Sequence, residues 1–547
     1  MKRRSFIKSM GAVSASAMLP STWPTAFNMS TMYKAANAAV DYAGVQVAAP
    51  AIMPQVINIF LYGGPSELSG NLTNIVDIST NSQNAYDANA VFGPRILTFD
   101  DTGDAANGFI TRNGFWRGTP NNNNANVDNN DGAGGRDMQY MVDQQYMSVY
   151  RTLMKRKDGT RSHRESILMS LKGSLDIENS AGVGTRIAAM LYQNRANFEG
   201  TSTYADGSAV DMDNVILPFV SFEGDTRAFA TDPDFAVPLL LRGTTLDEDL
   251  QDAYSRLSDG NALALDAMVD KKLADPAYSS RYAKVINSDE LREYLALRIG
   301  NIRDASGALP AITGAADATN LGITQGATLS YPGNNRYSAR IQAAVTLAVE
   351  NPSSMYITVG GGLGGWDDHN NAVDNYRSRM TQLFAALKAA ALQIKYSGTQ
   401  TTPGINTPGS VAAGTPMSRT TDNIIINVFG DFGRRVNLNN STGWDHGNNQ
   451  NLWTIGGAGV ASAANAGALR QLGKIVGRTQ RVGTSGTNNQ VTEPAAGSYE
   501  LEPMSVASSI YSYFGAQNPQ ILTADPELNP AGDPAIDETV AGEPPLF

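Results

Sequence analysis

The sequence predicts an α/β fold in which a mostly parallel sheet is covered on both faces by helices. Nearly continuous β-prone runs recur at residues 55–62, 216–222, 355–359 and 423–429, too unbroken in their apolar character for half-exposed strands. Helical patterns fall between them, with amphipathic stretches at 289–302 and 336–350 and a long Ala/Leu-rich stretch at 372–395. Strands that alternate with helices are the pattern of parallel strands joined by crossovers. A hydrophobic content of 42% over 547 residues supplies a large core, and residues 39–547 read as one domain.

The chain opens with Lys2-Arg3-Arg4-Ser5-Phe6-Ile7-Lys8, followed by a weakly apolar stretch from Met10 to Leu19. Paired arginines ahead of a short apolar segment read as a twin-arginine export signal. The segment is too short to span a bilayer as a helix and Pro20 ends it, so residues 1–38 are expected to be cleaved at Ala36-Asn37-Ala38. The mature chain is then periplasmic or extracellular, handed over by the twin-arginine translocase, with no membrane span. It contains no cysteine, which excludes disulfides and thiolate metal ligands. Residues 1–38 carry five Lys/Arg and no acid, so the net charge of −11 becomes −16 without them. That balance argues against nucleic acid or an anionic lipid surface as partner.

Along the mature chain, the first strand ends at Gly63-Gly64-Pro65 and delivers a tight loop. Sites in such sheets gather beyond the carboxyl ends of the strands. The Asn/Asp/Gly-rich stretch 120–135 reads as a flexible solvated loop, or as a calcium loop through Asp128 and Asp131. Ser162-His163-Arg164-Glu165 fits a capping box ahead of a helix at 166–171. Ser162 is either that cap or a nucleophile activated by a metal or a neighbouring base, since a hydroxyl at a helix N-terminus sits where anions are favoured. Residues 195–335 carry few site-like motifs and suggest a lid or helical side lobe. The Gly/Thr/Pro/Asn-rich stretches 397–421 and 483–496 read as flexible connections.

The three histidines all sit in short polar or glycine-rich motifs: Thr160-Arg-Ser-His163, Gly364-Gly-Trp-Asp-Asp-His369 and Gly443-Trp-Asp-His446. In extended backbone Asp367 and His369 point to one side and Asp368 away. Asp431 lies just past the 423–429 strand, and Asp445 and His446 lie in a loop soon after. Asp367, His369, Asp431, Asp445 and His446 together make a candidate site for a divalent metal, zinc first, with manganese or calcium as alternatives. Arg434 and Arg435 either clamp an anionic substrate or orient an aspartate by a salt bridge. Trp366 and Trp444 either wall the pocket or fill the core.

Phe60-Leu-Tyr-Gly-Gly-Pro-Ser-Glu67, Arg161-Ser-His163 with Gly184-Thr-Arg186, the three motifs around Asp367, Phe429-Gly-Asp-Phe-Gly-Arg-Arg435 and His446, and a closing helix near 502–515 occur in this order. The set resembles the domain of unknown function 1501 family, exported proteins similar to the alkaline phosphatase and sulfatase superfamily. The resemblance implies an alkaline-phosphatase-like αβα sandwich with divalent metals at the strand ends. It implies Asp367, His369 and His446 as first-metal ligands, Asp431 on a second or bridging metal, and Ser162 as nucleophile with His163 beside it. The chain departs from the family in a shorter acid at Asp431, where many members carry glutamate. It also has Ser66, Glu67 and Ser69 where the first loop often supplies an aspartate. The implied function is metal-dependent hydrolysis of a small anionic phosphate or sulfate ester, or a sugar-derived one, with Ser162, His163 and Arg434 catalytic. The alternatives are a non-catalytic exported protein for binding or surface assembly, and a phosphomutase-like enzyme.

Overall fold

The structure, a computed structural model, describes residues 44–66, 134–231, 309–403 and 416–525, less 158–159, 213–214, 216, 224–225, 361–364, 371, 399–400, 404–415, 419, 442, 461–472, 474, 478, 484–490 and 495. The export signal, Glu67, Ser69, the loop at 120–133 and the helix at 289–302 lie outside these residues.

Strands β1 (Gln55–Leu61), β2 (Met147–Met154), β3 (Phe219–Ser221), β4 (Tyr356–Val359), β5 (Thr401–Pro403), β6 (Pro416–Ser418), β7 (Ile424–Gly430), β8 (Gly433–Leu438), β9 (Trp444–Gly447), β10 (Asn449–Gly456), β11 (Ile475–Val476), β12 (Thr479–Val482) and β13 (Val491–Pro494) are joined by nine helices among the described residues. The helices are α1 (Gly135–Asp143), α2 (His163–Lys172), α3 (Val183–Gln193), α4 (Arg195–Glu199), α5 (Ala315–Leu321), α6 (Ser338–Glu350), α7 (Ala372–Ser397), α8 (Pro503–Tyr513) and α9 (Gln520–Thr523). Seven strands form the central sheet in the order β11-β2-β10-β7-β1-β4-β3. β10 runs antiparallel to both its neighbours, and every other pairing is parallel, so six strands share one direction. The expected mostly parallel α/β sheet is present.

Strand β1 shows why both faces are covered. All seven of its residues are buried. Ile57, Ile59 and Leu61 join Ile424, Ile426 and Val428 of β7 in a core with α1, α6 and α7. Val56 and Phe60 face the other way, into a core with Ile425, Phe429, α3 and α8. The two-residue alternation of a strand thus feeds two apolar layers, each fully buried Ile or Phe contributing roughly 2–3 kcal/mol.

Some expectations need correction. Strand β3, expected from the run at 216–222, completes the sheet edge. The described remainder of 195–335 includes a small satellite core, in which Ile312, Ala318 and Leu329 pack on Ala389, Leu392 and Tyr396 of α7. The stretch 397–421 contains the paired strands β5 and β6, and 483–496 contributes β13, which pairs with β12. The motif at 502–515 does form a helix, α8, with every residue buried. Strands β2 and β10 have no counterpart among the sequence expectations. Both carry buried polar residues, among them Arg151, Thr152, Asn449, Gln450 and Asn451, that interrupt the apolar signal.

A candidate metal centre at the strand ends

Four segments leave the carboxyl edge of the sheet and meet. Beyond β1 the chain turns at Gly63, whose φ of 106° suits only glycine and whose missing Cβ leaves room for the backbone of Asp367. Past β2 it reaches Arg161 and enters α2 at His163. Beyond β4 it runs to Asp367 and His369, and β7 delivers Asp431 directly. The β8–β9 hairpin crowns the group with Arg434, Asp445 and His446. Gly443 packs against the His369 backbone so closely that a methyl group there would collide with the His369 carbonyl.

At the centre, three atoms form a nearly equilateral triangle. Asp367 Oδ1 lies 3.0 Å from His369 Nε2 and 3.3 Å from His446 Nε2, and the two Nε2 atoms are 3.1 Å apart. Hydrogen-bond partners on the far side of each ring fix the tautomers. His446 Nδ1 lies 2.8 Å from the Arg161 carbonyl and His369 Nδ1 lies 3.2 Å from Asp445 Oδ1. Neither oxygen can donate, so each Nδ1 carries a proton, and in the neutral ring each Nε2 presents a lone pair to the triangle. Two lone pairs and a carboxylate oxygen at these separations repel one another unless a cation lies among them. A tetrahedral ion with bonds of about 2.0 Å has ligand–ligand edges of about 3.3 Å, and an octahedral ion of similar size about 3.0 Å. The triangle fits a small divalent metal such as zinc or manganese. Its two imidazoles disfavour calcium, which takes oxygen ligands.

The third histidine belongs to the same cluster. His163 Nδ1 donates to Asp431 Oδ2 at 2.6 Å. His163 Nε2 comes within 3.1 Å of Asp367 Oδ2 but is not aligned for a hydrogen bond and has no other partner. Asp431 is fully buried, and its Oδ1 has no hydrogen bond either. His163, Asp367 and His446 form a second set of donors close enough to share an ion. Phe432 packs against both rings, with centroids 4.6 Å from His163 and 4.4 Å from His446, and holds the two imidazoles in place.

The electrostatics suit metal binding. Burial pushes the Asp367 carboxyl up, but the Arg434 hydrogen bond and charge, with His163 and His369, outweigh it and hold the pKa down at about 2. Burial and the Arg434 charge lower the pKa of His446, which favours the neutral ligand form. The Asp431 hydrogen bond raises that of His163 against the pull of burial. For Asp445 burial is outweighed by hydrogen bonds from Asn439 and His369, and its pKa falls.

The structure brings Asp367, His369 and His446 together, with Asp368 turned away to Asn375 and Arg379. Other roles change. Asp445 turns its Oδ1 to His369 Nδ1, outside the triangle, and it and His446 lie on β9, not in a loop. Asp431 orients His163 instead of facing the triangle. Arg434 is no substrate clamp. It is fully buried, and its donors go to the carbonyls of Gly63, Gly64, Trp366 and Trp444 and to Asp367 Oδ1, so it positions Asp367 and the loops around it. Arg435 instead stands 3.6 Å from Asp445.

Ser162 is exposed at the N-cap of α2, yet its hydroxyl makes no capping bond. The expected box fails because Thr160 takes both parts, accepting from the Ser162 N–H and donating to Glu165. Trp366 and Trp444 are wholly buried against Tyr376, as core residues. Sequence reasoning missed the Arg161 carbonyl behind His446, and Asn439, which bonds the His369 carbonyl and Asp445. A backbone acceptor leaves no residue-type signal. Comparison with protein families, curated proteins and solved structures found no match to this chain.

Proposed function

We propose that the chain is a metal-dependent hydrolase of phosphate or sulfate esters, with Asp367, His369 and His446 holding a divalent ion and Ser162 as nucleophile. The observation that carries the reading is the triangle itself, one carboxylate oxygen and two imidazole Nε2 atoms all within 3.3 Å of one another. Three protein ligands leave a fourth position free, the arrangement of catalytic zinc and not of closed structural sites. Asp367 keeps 41% of its side chain exposed, so that position opens to solvent. This favours catalysis over a non-catalytic binding protein with a structural ion.

A bound divalent ion would supply Lewis-acid stabilisation of the ester oxygens and lower the pKa of a nearby hydroxyl. The chain's residues do the rest. Ser162 is flanked by Arg161, whose carbonyl fixes His446, and by His163, whose Nε2 lone pair faces the site. Asp431 holds the His163 ring so that Nε2 can take and return a proton. The reversed strand within a mostly parallel sheet, with ligands at the strand ends, is compatible with an alkaline-phosphatase-like sandwich and with the resemblance to the domain of unknown function 1501 family. Export by the twin-arginine pathway to the periplasm or beyond completes the reading.

The test is turnover of aryl phosphates and aryl sulfates by the mature chain reconstituted with zinc or manganese. Activity that vanishes in Ser162→Ala while metal content holds supports the assignment. A metal-loaded protein inert on the whole panel overturns it, and activity that survives Ser162→Ala moves the nucleophile to water.

A further inference from the structure

A second site lies on the flank of α2, away from the residues of the metal triangle. Arg164, Ile167, Leu168 and Lys172 of the helix, Ile177 and Glu178 of the turn after it, and Arg227 beyond β3 line a cleft of about 430 Å³. That volume is in the range of small-molecule sites. The cleft concentrates three cations against one carboxylate, in a protein whose net charge is −11.

The single carboxylate is already engaged, because Glu178 accepts from Arg164 Nη2 at 2.9 Å at the rim. Lys172 is 6% exposed, and its ammonium donates to the carbonyls of Ile177 at 2.7 Å and Glu178 at 3.3 Å. Carbonyls satisfy its hydrogens without cancelling its charge. Arg227 is exposed and its guanidinium makes no hydrogen bond or ion pair among the described residues. Burial and the nearby Arg227 charge both disfavour the Lys172 ammonium. Lys172 and Arg227 are thus held together, with Glu178 turned to Arg164 and Asp176 the other acid near Lys172, beside an apolar wall of Ile167, Leu168 and Ile177.

We propose that this cleft binds an organic anion that joins one sulfonate, sulfate or carboxylate group to an apolar body. Arg227 and Lys172 take the anionic group, Arg227 by its planar fork. Ile167, Leu168 and Ile177 receive the apolar part. The proposal needs no ion in the metal centre and so stands apart from the hydrolase reading.

Calorimetric titration of the mature chain with benzenesulfonate, which has no ester to cleave, tests it. Saturable binding is expected at one site, equally before and after chelation of metals, and weaker at higher salt. Arg227→Gln, a change at an exposed position, weakens it about tenfold, the loss of one charge-assisted contact. Glu178→Gln, which frees Arg164, tightens it. Absence of saturable binding overturns the proposal. So does affinity unchanged in Arg227→Gln, or binding abolished by chelation, which would place the anion in the metal centre.

Discussion

His369 Nε2 and His446 Nε2 stand 3.1 Å apart, both turned toward Asp367. Each ring has its proton pinned on the opposite nitrogen, by Asp445 for His369 and by the Arg161 carbonyl for His446. Folding alone gives such a pair no stabilisation. The supporting residues nonetheless aim both lone pairs at the oxygen of a carboxylate kept ionised by Arg434.

Asp445→Asn tests the support behind His369. An amide can still meet Nδ1 but no longer fixes the proton there or adds negative charge to the ring. Metal affinity is expected to fall about 10–100-fold, with little change in fold. Competition with a chromophoric chelator measures it, and equal affinities would show that Asp445 does not tune the ligand.

Arg434→Met tests the claim that this guanidinium orders the site's loops. It removes five buried contacts that tie the turn after β1 to Trp366, Asp367 and Trp444. The variant is expected to lose about 3–5 kcal/mol by denaturant unfolding. Full stability with only a raised KM would instead make Arg434 a substrate contact.

Asp317 predicts a pH dependence of stability. It accepts hydrogen bonds from Tyr140, Tyr146 and Tyr396 and pairs with Lys395 at 2.9 Å. Burial pushes its carboxyl up, but the bonds from Lys395, Tyr140 and Tyr396 outweigh it and lower the pKa. A depressed acid contributes stability that is fully present above its unfolded value of about 3.9 and is lost as pH falls through the folded value. Wild type should therefore lose more stability than Asp317→Asn between about pH 5 and pH 3. Parallel curves for the two proteins would contradict this.

Local rules made part of this legible in the sequence. Strands β1, β3, β4 and β7 announced themselves as apolar runs, and strand-like alternation was enough to put Asp367 and His369 on one side and Asp368 on the other. What escaped depends on tertiary contact. His163 was singled out beside Ser162, but its bond to Asp431 spans 268 positions of chain and has no local signal. Asp445 read as a ligand because an Asp-His pair looks the same whether the acid faces the metal or the back of another histidine. Arg434 read as a substrate clamp or as a salt bridge to an aspartate, because burial, not residue type, decides that its fork closes on backbone carbonyls and Asp367.

The most direct test of the centre is the metal content of the purified mature chain beside that of Asp367→Ala and His446→Ala, by elemental analysis after dialysis. The geometry predicts at least one equivalent of a divalent transition ion in the wild type, lost in both variants while each remains folded. A wild type that stays folded and metal-free after exposure to zinc and manganese would contradict it.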